Sequence, residues 1–283
     1  MSRVGEGLRR HALLAEDIVP YDVHRFDRRT WVIKETQLGV RIWCSLDDRA
    51  ISRAVLVDSY DLSEMRFIEK TLRPGDLAVD AGANIGYYAL HFAKLVGEEG
   101  HVEALEPLGY LADALSASVV ENDFGSRVTV HRTALDERPD TVRVRHAPRT
   151  ANFGGAHFAP ETSPESFQVD ETITTVRLDD VIGDRTCSFL KVDVEGAEPR
   201  VIRGARNTLA TSRPVILAEL HDDQLRVVSG SSADDFIAQM SALGYCCSRL
   251  NPDGTRGHAL NRYAEKTPIN VVFDPEPTSL YHS

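Results

Sequence analysis

The chain predicts an α/β fold, a doubly wound parallel sheet with helices on both faces, preceded by a small β-rich N-terminal extension. Three observations carry this. Buried strand-like runs alternate with helix-period segments from Leu77 to Leu243. The stretch LAVDAGANIGYYALHFAKLVGEEGHVEALEP, residues 77–107, reads as a strand, a glycine-containing turn, a helix and a second strand ending in an acid. That is half of a nucleotide-binding unit. Residues 30–57 show short β-like runs instead, separated by Gly39 and the Asp47-Asp48 pair.

In chain order, residues 1–20 read as a lead-in, followed by β-like runs at Trp31–Ile33, Val40–Trp43 and Ala54–Val57. These make residues 1–58 an extension of short antiparallel strands, ahead of a main domain at 59–283. A helix opens at Ser63, with Met65, Phe67, Ile68 and Leu72 on its apolar face, and stops at Pro74-Gly75. The strand Leu77–Val79, the helix Tyr87–Val96 and the strand Val102–Leu105 follow. Leu108, Leu111, Leu115 and Val119 mark a helix ending near Glu121. A strand at Val128–Arg132 precedes residues 141–146, whose alternation predicts an added antiparallel strand. Residues 147–164 are rich in Gly, Pro and Ala and lack periodicity, so an acceptor-binding loop is placed at about 147–170. Strands at Thr172–Leu178, Phe189–Val192 and Val215–Leu220 alternate with helices at Glu198–Leu209 and Ala233–Leu243. Pro199 falls in a first helical turn, where its missing N–H is harmless. Strands near Tyr245–Arg249 and Asn270–Phe273 complete the chain.

The composition narrows the function. Among 283 residues, 42% are hydrophobic and 27% charged, enough for a sizeable core in a soluble protein. No run approaches the ~18–20 apolar residues of a membrane span, and the N-terminal apolar run is too short for a secretory signal. The formal charge of −11 argues against nucleic acid, whose binding relies on Lys and Arg at phosphates. Cys44, Cys187, Cys246 and Cys247 show no C-x-x-C spacing. They read as free buried thiols in a cytoplasmic protein.

The glycine turn selects the nucleotide. A dinucleotide fingerprint would be G-x-G-x-x-G with an acid about 20 residues on. Glu106 fits the second condition, but the glycines are Gly82 and Gly86, and Asp80 ends the strand before them. A carboxylate there opposes a pyrophosphate and suits a ligand with an ammonium group. S-adenosylmethionine fits, with its cationic amino-acid end and sulfonium, and Glu106 would accept hydrogen bonds from its ribose. Taken singly, Asp80 is also explained as a helix cap and Glu106 as a solvated strand end.

The pieces RPGDLAVDAGANIGYYAL, EALEPLGY, HRTALDE and KVDVEGAEPRVIRGARNTLATSRPVILAEL, in this order and spacing, resemble the FkbM-type methyltransferases. The resemblance covers about residues 60–220 and implies a Rossmann-like class I methyltransferase sheet. It implies that Asp80, Gly82, Ala83, Asn84 and Gly86 line the methionine end of S-adenosylmethionine, with Glu106 at the ribose. Ala134 and Asp136 would lie near the adenine, and Asp193 and Glu195 beside the cofactor and acceptor. The implied reaction is methylation of a hydroxyl on a small molecule, often a polyketide, sugar or other natural product. Some members methylate amines, which leaves the acceptor atom open.

Candidate bases stand at the carboxyl ends of the fourth and fifth strands, where doubly wound sheets bind ligands. They are Asp193, Glu195, Glu219 and His221. His221 is a candidate because histidine is the side-chain type most suited to proton transfer near neutral pH. It is also placed as an acceptor contact, though hydrogen bonding to Glu219 explains it equally well. The carboxylates with Glu198 and His221 invite a divalent metal. Helix-terminus electrostatics and pairing of Glu195 and Glu198 with Arg200 and Arg203 account for them better, so no metal is assigned. Asn152 and His157, in a Gly-Gly-containing loop, are acceptor contacts. Tyr60 and Glu64 are placed at the amino-acid end of the cofactor. The rivals are a protein or nucleic-acid methyltransferase, a catalytically idle cofactor-binding module and an NAD dehydrogenase, which Asp80 disfavours. The β-rich extension offers a contact for a homodimer.

Overall fold

The computed structural model describes residues 29–145 and 170–276. It begins with a hairpin, β1 (Trp31–Glu35) and β2 (Arg41–Ser45), then α1 (Ile51–Leu56) and α2 (Leu62–Thr71). Two strand–helix repeats and a third strand start the main sheet: β3 (Leu77–Ala81), α3 (Tyr87–Val96), β4 (His101–Leu105), α4 (Gly109–Glu121) and β5 (Val128–His131). Next come β6 (Ala134–Leu135), β7 (Asp140–Arg145) and β8 (Asp170–Val176), then α5 (Leu178–Ile182) and β9 (Phe189–Val192). The chain continues through α6 (Glu198–Arg203), α7 (Arg206–Thr211), β10 (Val215–Leu220), α8 (Asp222–Ser229) and α9 (Ala233–Ala242). It ends in β11 (Tyr245–Leu250), β12 (Arg256–Ala259) and β13 (Ile269–Pro275).

The main sheet has eight strands in the order β12-β11-β13-β10-β9-β3-β4-β5. Strands β3, β4, β5, β9 and β10 are mutually parallel. β13 runs antiparallel between β10 and β11, so the expected parallel sheet is parallel only through its heart. No helix separates β11 from β13 among these residues, and only an antiparallel return is open to a chain without a crossover helix. The order reverses between β3 and β9, where open α/β sheets form their binding crevice.

Strand alternation sorts the core onto two faces. Leu77, Val79, Ala81, Leu190 and Val192 join one buried cluster. Ala78 and Phe189 join the other, with Tyr88, Phe92 and the β1–β2 hairpin. The same alternation puts Asp80 and Lys191, which are register partners, on the face covered by α3. β6, β8 and β7 form a separate three-stranded sheet, and residues 141–145 of the alternating segment lie in its antiparallel β7.

Several boundaries differ from the sequence expectations. Ala54–Val57 is not a strand; it ends α1. Asp48 accepts hydrogen bonds from the N–H groups of Ala50 (3.0 Å) and Ser52 (2.8 Å), and Ser52, Val55 and Leu56 are buried on one helical face. A four-residue apolar run fits either period, so the cap decides. α8 was unforeseen because only Leu225 of its residues is buried. Cys246 is exposed, whereas Cys44, Cys187 and Cys247 are buried, and all four thiols are free. No helix among the described residues is long and apolar enough to cross a membrane.

The single helix expected from Glu198 to Leu209 is two, α6 and α7, broken at Gly204. A Cβ on Gly204 would overlap the carbonyl oxygen of Asp136, so this corner exists only where backbone meets backbone. Gly204→Ala should therefore lower the unfolding free energy by about 1–3 kcal/mol, the range of an overpacked core. Urea denaturation checks this; an unchanged midpoint would mean that the corner moves freely.

Candidate active site

The turns that follow β3 and β9 touch. Asp193 donates its N–H to the carbonyl of Ala81 (3.1 Å). A Cβ on Gly82, whose φ is +83°, would overlap the Asp193 carbonyl oxygen. Both motifs singled out in the sequence thus become one wall, from which three clefts open.

The first cleft encloses about 680 Å³, including its solvent-open mouth, and is walled by Gly82, Asn84, Glu106, Leu111, Ala134, Leu135, Ile173, Asp193 and Glu195. Its wall is largely apolar, with Asp193 and Glu195 at one side and Glu106 buried at the other. Glu106 accepts hydrogen bonds from the N–H groups of Asn84 (2.9 Å) and Leu108 (2.8 Å). Burial, opposed by those bonds, raises its pKa to about 7.

The second cleft, about 700 Å³, has Tyr60, Ala83, Asn84, Tyr88, Lys191, Asp193, Glu195 and Glu219 in its walls. The third, about 470 Å³, adds Asp61, Glu64 and Asn270 to Tyr60, Lys191, Asp193 and Glu219. Burial first, and then neighbouring carboxylates, lift Glu195 to about 8 and Glu219 to about 7. Lys191 is the cationic side chain in these two walls. Its Nζ lies 3.2 Å from Asp193 Oδ2, 3.9 Å from Asp80 Oδ1 and 4.4 Å above the Tyr88 ring. Burial pulls its pKa down, but Asp193 and Asp80 outweigh burial and leave it raised.

Glu195 stands at the junction, lining the first and second clefts. Its backbone is left-handed, with φ of +55°, a conformation that non-glycine residues adopt at a cost and often at functional turns. Gln224 of α8 donates to its carboxylate. Glu198 is buried below and accepts from the N–H groups of Val194 (3.0 Å) and Gly196 (3.3 Å), pinning the turn.

The sequence-predicted residues divide accordingly. Gly82, Ala83, Asn84, Glu106, Ala134, Asp193, Glu195, Glu219, Tyr60 and Glu64 all line the clefts. Asp80 does not. It is fully buried beneath them, and neither oxygen has a regular hydrogen-bond partner. Burial lifts its pKa to about 6, against the pull of Lys191. Gly86 caps α3, and a Cβ there would strike Leu115; its freedom serves packing. Asp136 is not beside the first cleft but inside a bidentate ion pair with Arg200. Arg203 pairs with Glu137, so the ion pairs described for the two arginines go to Asp136 and Glu137 rather than to Glu195 or Glu198. His221 lines none of the three clefts and instead caps α8 through Nδ1, which accepts from the Gln224 N–H (3.5 Å). Asn152 and His157 lie outside the described residues. Among the described residues, no cluster of three or more His, Cys, Asp or Glu is arranged to hold a metal ion.

Lys191, Tyr88 and Asp61 were missed. A lysine inside the apolar strand FLKV was the available signal, because a buried ammonium needs a partner.

Comparison with known proteins bears on this geometry. The family described as Methyltransferase FkbM domain matches residues 80–247. The 31-O-demethyl-FK506 methyltransferase FkbM of Streptomyces tacrolimicus is 30% identical over 223 residues, 70% of this chain and 77% of that protein. Methyltransferase sdnD of Sordaria araneosa is 29% identical over 155 residues, 44% of this chain and 59% of that protein. Among solved structures, methyltransferase FkbM from Methylobacillus flagellatus KT aligns with a TM-score of 0.48 at 20% identity, covering 78% of this chain and 52% of that one. The chain thus spans little more than half of the last two.

The sheet is that of a Rossmann-like class I methyltransferase, an enzyme class whose methyl donor is S-adenosylmethionine. Within that class, the chain belongs to the FkbM methyltransferase family.

The acids fix a pH dependence. Asp80, Glu106, Glu195, Glu198 and Glu219 all have folded pKa values, about 6 to 8, above their ordinary 3.8 or 4.5. Each therefore binds its proton more tightly when folded. The stability this contributes is complete below the ordinary values and is lost as pH rises through the folded ones. Carboxylates held below their ordinary values, such as Glu103 and Asp222, titrate beneath that window. The melting temperature of the ligand-free protein should fall between about pH 5 and about pH 8. Scanning calorimetry across that range checks it; a rising midpoint would refute the assignment of raised values.

Proposed function

We propose that the chain moves the methyl group of S-adenosylmethionine to a hydroxyl of a small molecule. The observation that carries this is the junction at Asp193 and Glu195 between a largely apolar cleft, to which Glu106 adds a further acid, and two anionic clefts. The residues fit the donor. An apolar slot with Glu106 suits a nucleoside whose ribose hydroxyls donate to a carboxylate. The anionic walls, with the orphaned Asp80 carboxylate behind them, suit its positive charges. When bound, S-adenosylmethionine supplies a methyl group on a sulfonium, an electrophile that needs no metal.

The chain's part is alignment and proton handling. Leu111, Leu135 and Ile173 exclude water around the base, and Glu106 fixes the ribose. Glu195 takes the proton that leaves the acceptor oxygen. Its raised pKa matches a base working near neutrality, and a cation beside it favours its ionised form. Alignment is the larger contribution, up to ~7–11 kcal/mol, against ~10²–10⁴-fold for the base. An amine acceptor is the second option, favoured by the excess of carboxylates in the third cleft. A hydroxylated natural product is the favoured substrate class. Support comes from the relative whose name records methylation of a demethylated FK506 oxygen.

Titration calorimetry should show S-adenosylmethionine binding and no heat from NAD; tight NAD binding would sink the donor assignment. Glu106→Gln should weaken donor binding about 10-fold, the value of a charge-assisted hydrogen bond. Glu195→Gln should lower kcat about 10²–10⁴-fold with donor affinity kept. A wild-type rate in Glu195→Gln would remove it as the base. Turnover over matched alcohol and amine acceptors, followed as release of the demethylated donor S-adenosylhomocysteine, separates the two options.

A further inference from the structure

We propose that Lys191 grips the carboxylate of the donor's methionine end, so that the Lys191–Asp193 pair reads a zwitterion. This rests on the donor site proposed above. The amino-acid end of the donor carries an ammonium and a carboxylate together. The anionic walls provide for the first; the second needs a cation or free N–H groups.

The N–H groups of the glycine turn are committed elsewhere. Those of Gly82 and Ala83 both donate to the carbonyl of Leu105 (3.0 Å each). The Asn84 N–H donates to Glu106, the Ile85 N–H to Asn84 Oδ1 (2.8 Å), and the Gly86 N–H to the Ala83 carbonyl (2.8 Å). The hydroxyls of Tyr88 and Tyr87 are committed as well. Tyr88 donates to Asp61 Oδ2 (2.5 Å) and Tyr87 to the Tyr60 carbonyl (3.2 Å). Besides the first N–H groups of α3, the donor with full charge in the second and third clefts is Lys191, their one cationic side chain among the described residues.

Its placement is fixed from three sides. The side chain is 5% exposed, rises from a strand in register with Asp80, and lies over the face of Tyr88, a contact that favours an ammonium. Asp193 Oδ2 at 3.2 Å and the more distant Asp80 leave a third N–H of the ammonium for a ligand. Lys191 borders both clefts, and Asp193 beside it is 37% exposed. A cation and an anion are thus presented side by side, complementary to the two charges of an amino acid.

The test compares S-adenosylmethionine with its decarboxylated analogue by titration calorimetry, which requires no acceptor. The wild-type protein should prefer the carboxylated form about 10- to 100-fold, as one charge-assisted contact warrants. Lys191→Met should lose most of that preference by weakening only the carboxylated form, while Lys191→Arg keeps most of it. Equal binding of both compounds to the wild type would overturn the proposal. So would an undiminished preference in Lys191→Met, which would give the carboxylate to the backbone at the start of α3. Should Lys191→Met fail to fold by its thermal melt, Lys191→Gln answers the same question. Failure of the wild type to bind either compound would instead overturn the donor site itself.

Discussion

Backbone contact between two strand ends organises this molecule. The turn after β3 and the turn after β9 approach until Gly82 lies against the Asp193 carbonyl, with no room for a Cβ between them. Two segments more than a hundred residues apart thereby share one wall, and every cleft of the site opens from it. The hydrogen bond from Asp193 to Ala81 extends the β3–β9 ladder past the last strand residue. Gly204 repeats the device on the far side of the sheet, where the α6–α7 corner rests on the backbone at Asp136.

The cost of this arrangement is electrostatic. Asp80, Glu106, Glu195, Glu198 and Glu219 are crowded and largely buried, and each is pushed toward its neutral form. The protein answers in two ways. Glu106 and Glu198 are supplied with backbone N–H groups, which makes them structural as well as chemical. Asp80 and Asp193 are given Lys191, whose own burial is tolerable because both acids and the Tyr88 ring surround it. Removing one member of such a group leaves the others as uncompensated charges. A cationic ligand relieves the same repulsion, which links folding and binding through one set of carboxylates.

Many of the residues that line the clefts were legible in the sequence. Glu106 was recognisable by its distance from the glycine turn, and Asp193 with Glu195 by their turn at a strand end. What misled was local ambiguity. Asp136 follows a strand just as a ligand residue would, yet Arg200, 64 residues on, claims both its oxygens. His221 looked like a base by type, yet it begins a helix whose single buried residue gives no periodic signal. Asp80 was expected to face a cationic ligand, but it is buried beneath the clefts and the cation beside it is Lys191. Lys191 itself went unread because a lysine in a strand says nothing about which acids lie on the neighbouring strand.

By itself, the sequence determined the parallel strands, the helices between them and the two turns that mark the binding edge. Those depend on short-range periodicity and on glycines with few alternatives. Only the tertiary structure decided how the carboxylates divide their labour. Charge pairing, burial and committed hydrogen bonds are set by what the neighbouring strand and the covering helix bring. The register that pairs Asp80 with Lys191 is a relation between distant segments, and so is the contact that sets Glu195 beside Gln224.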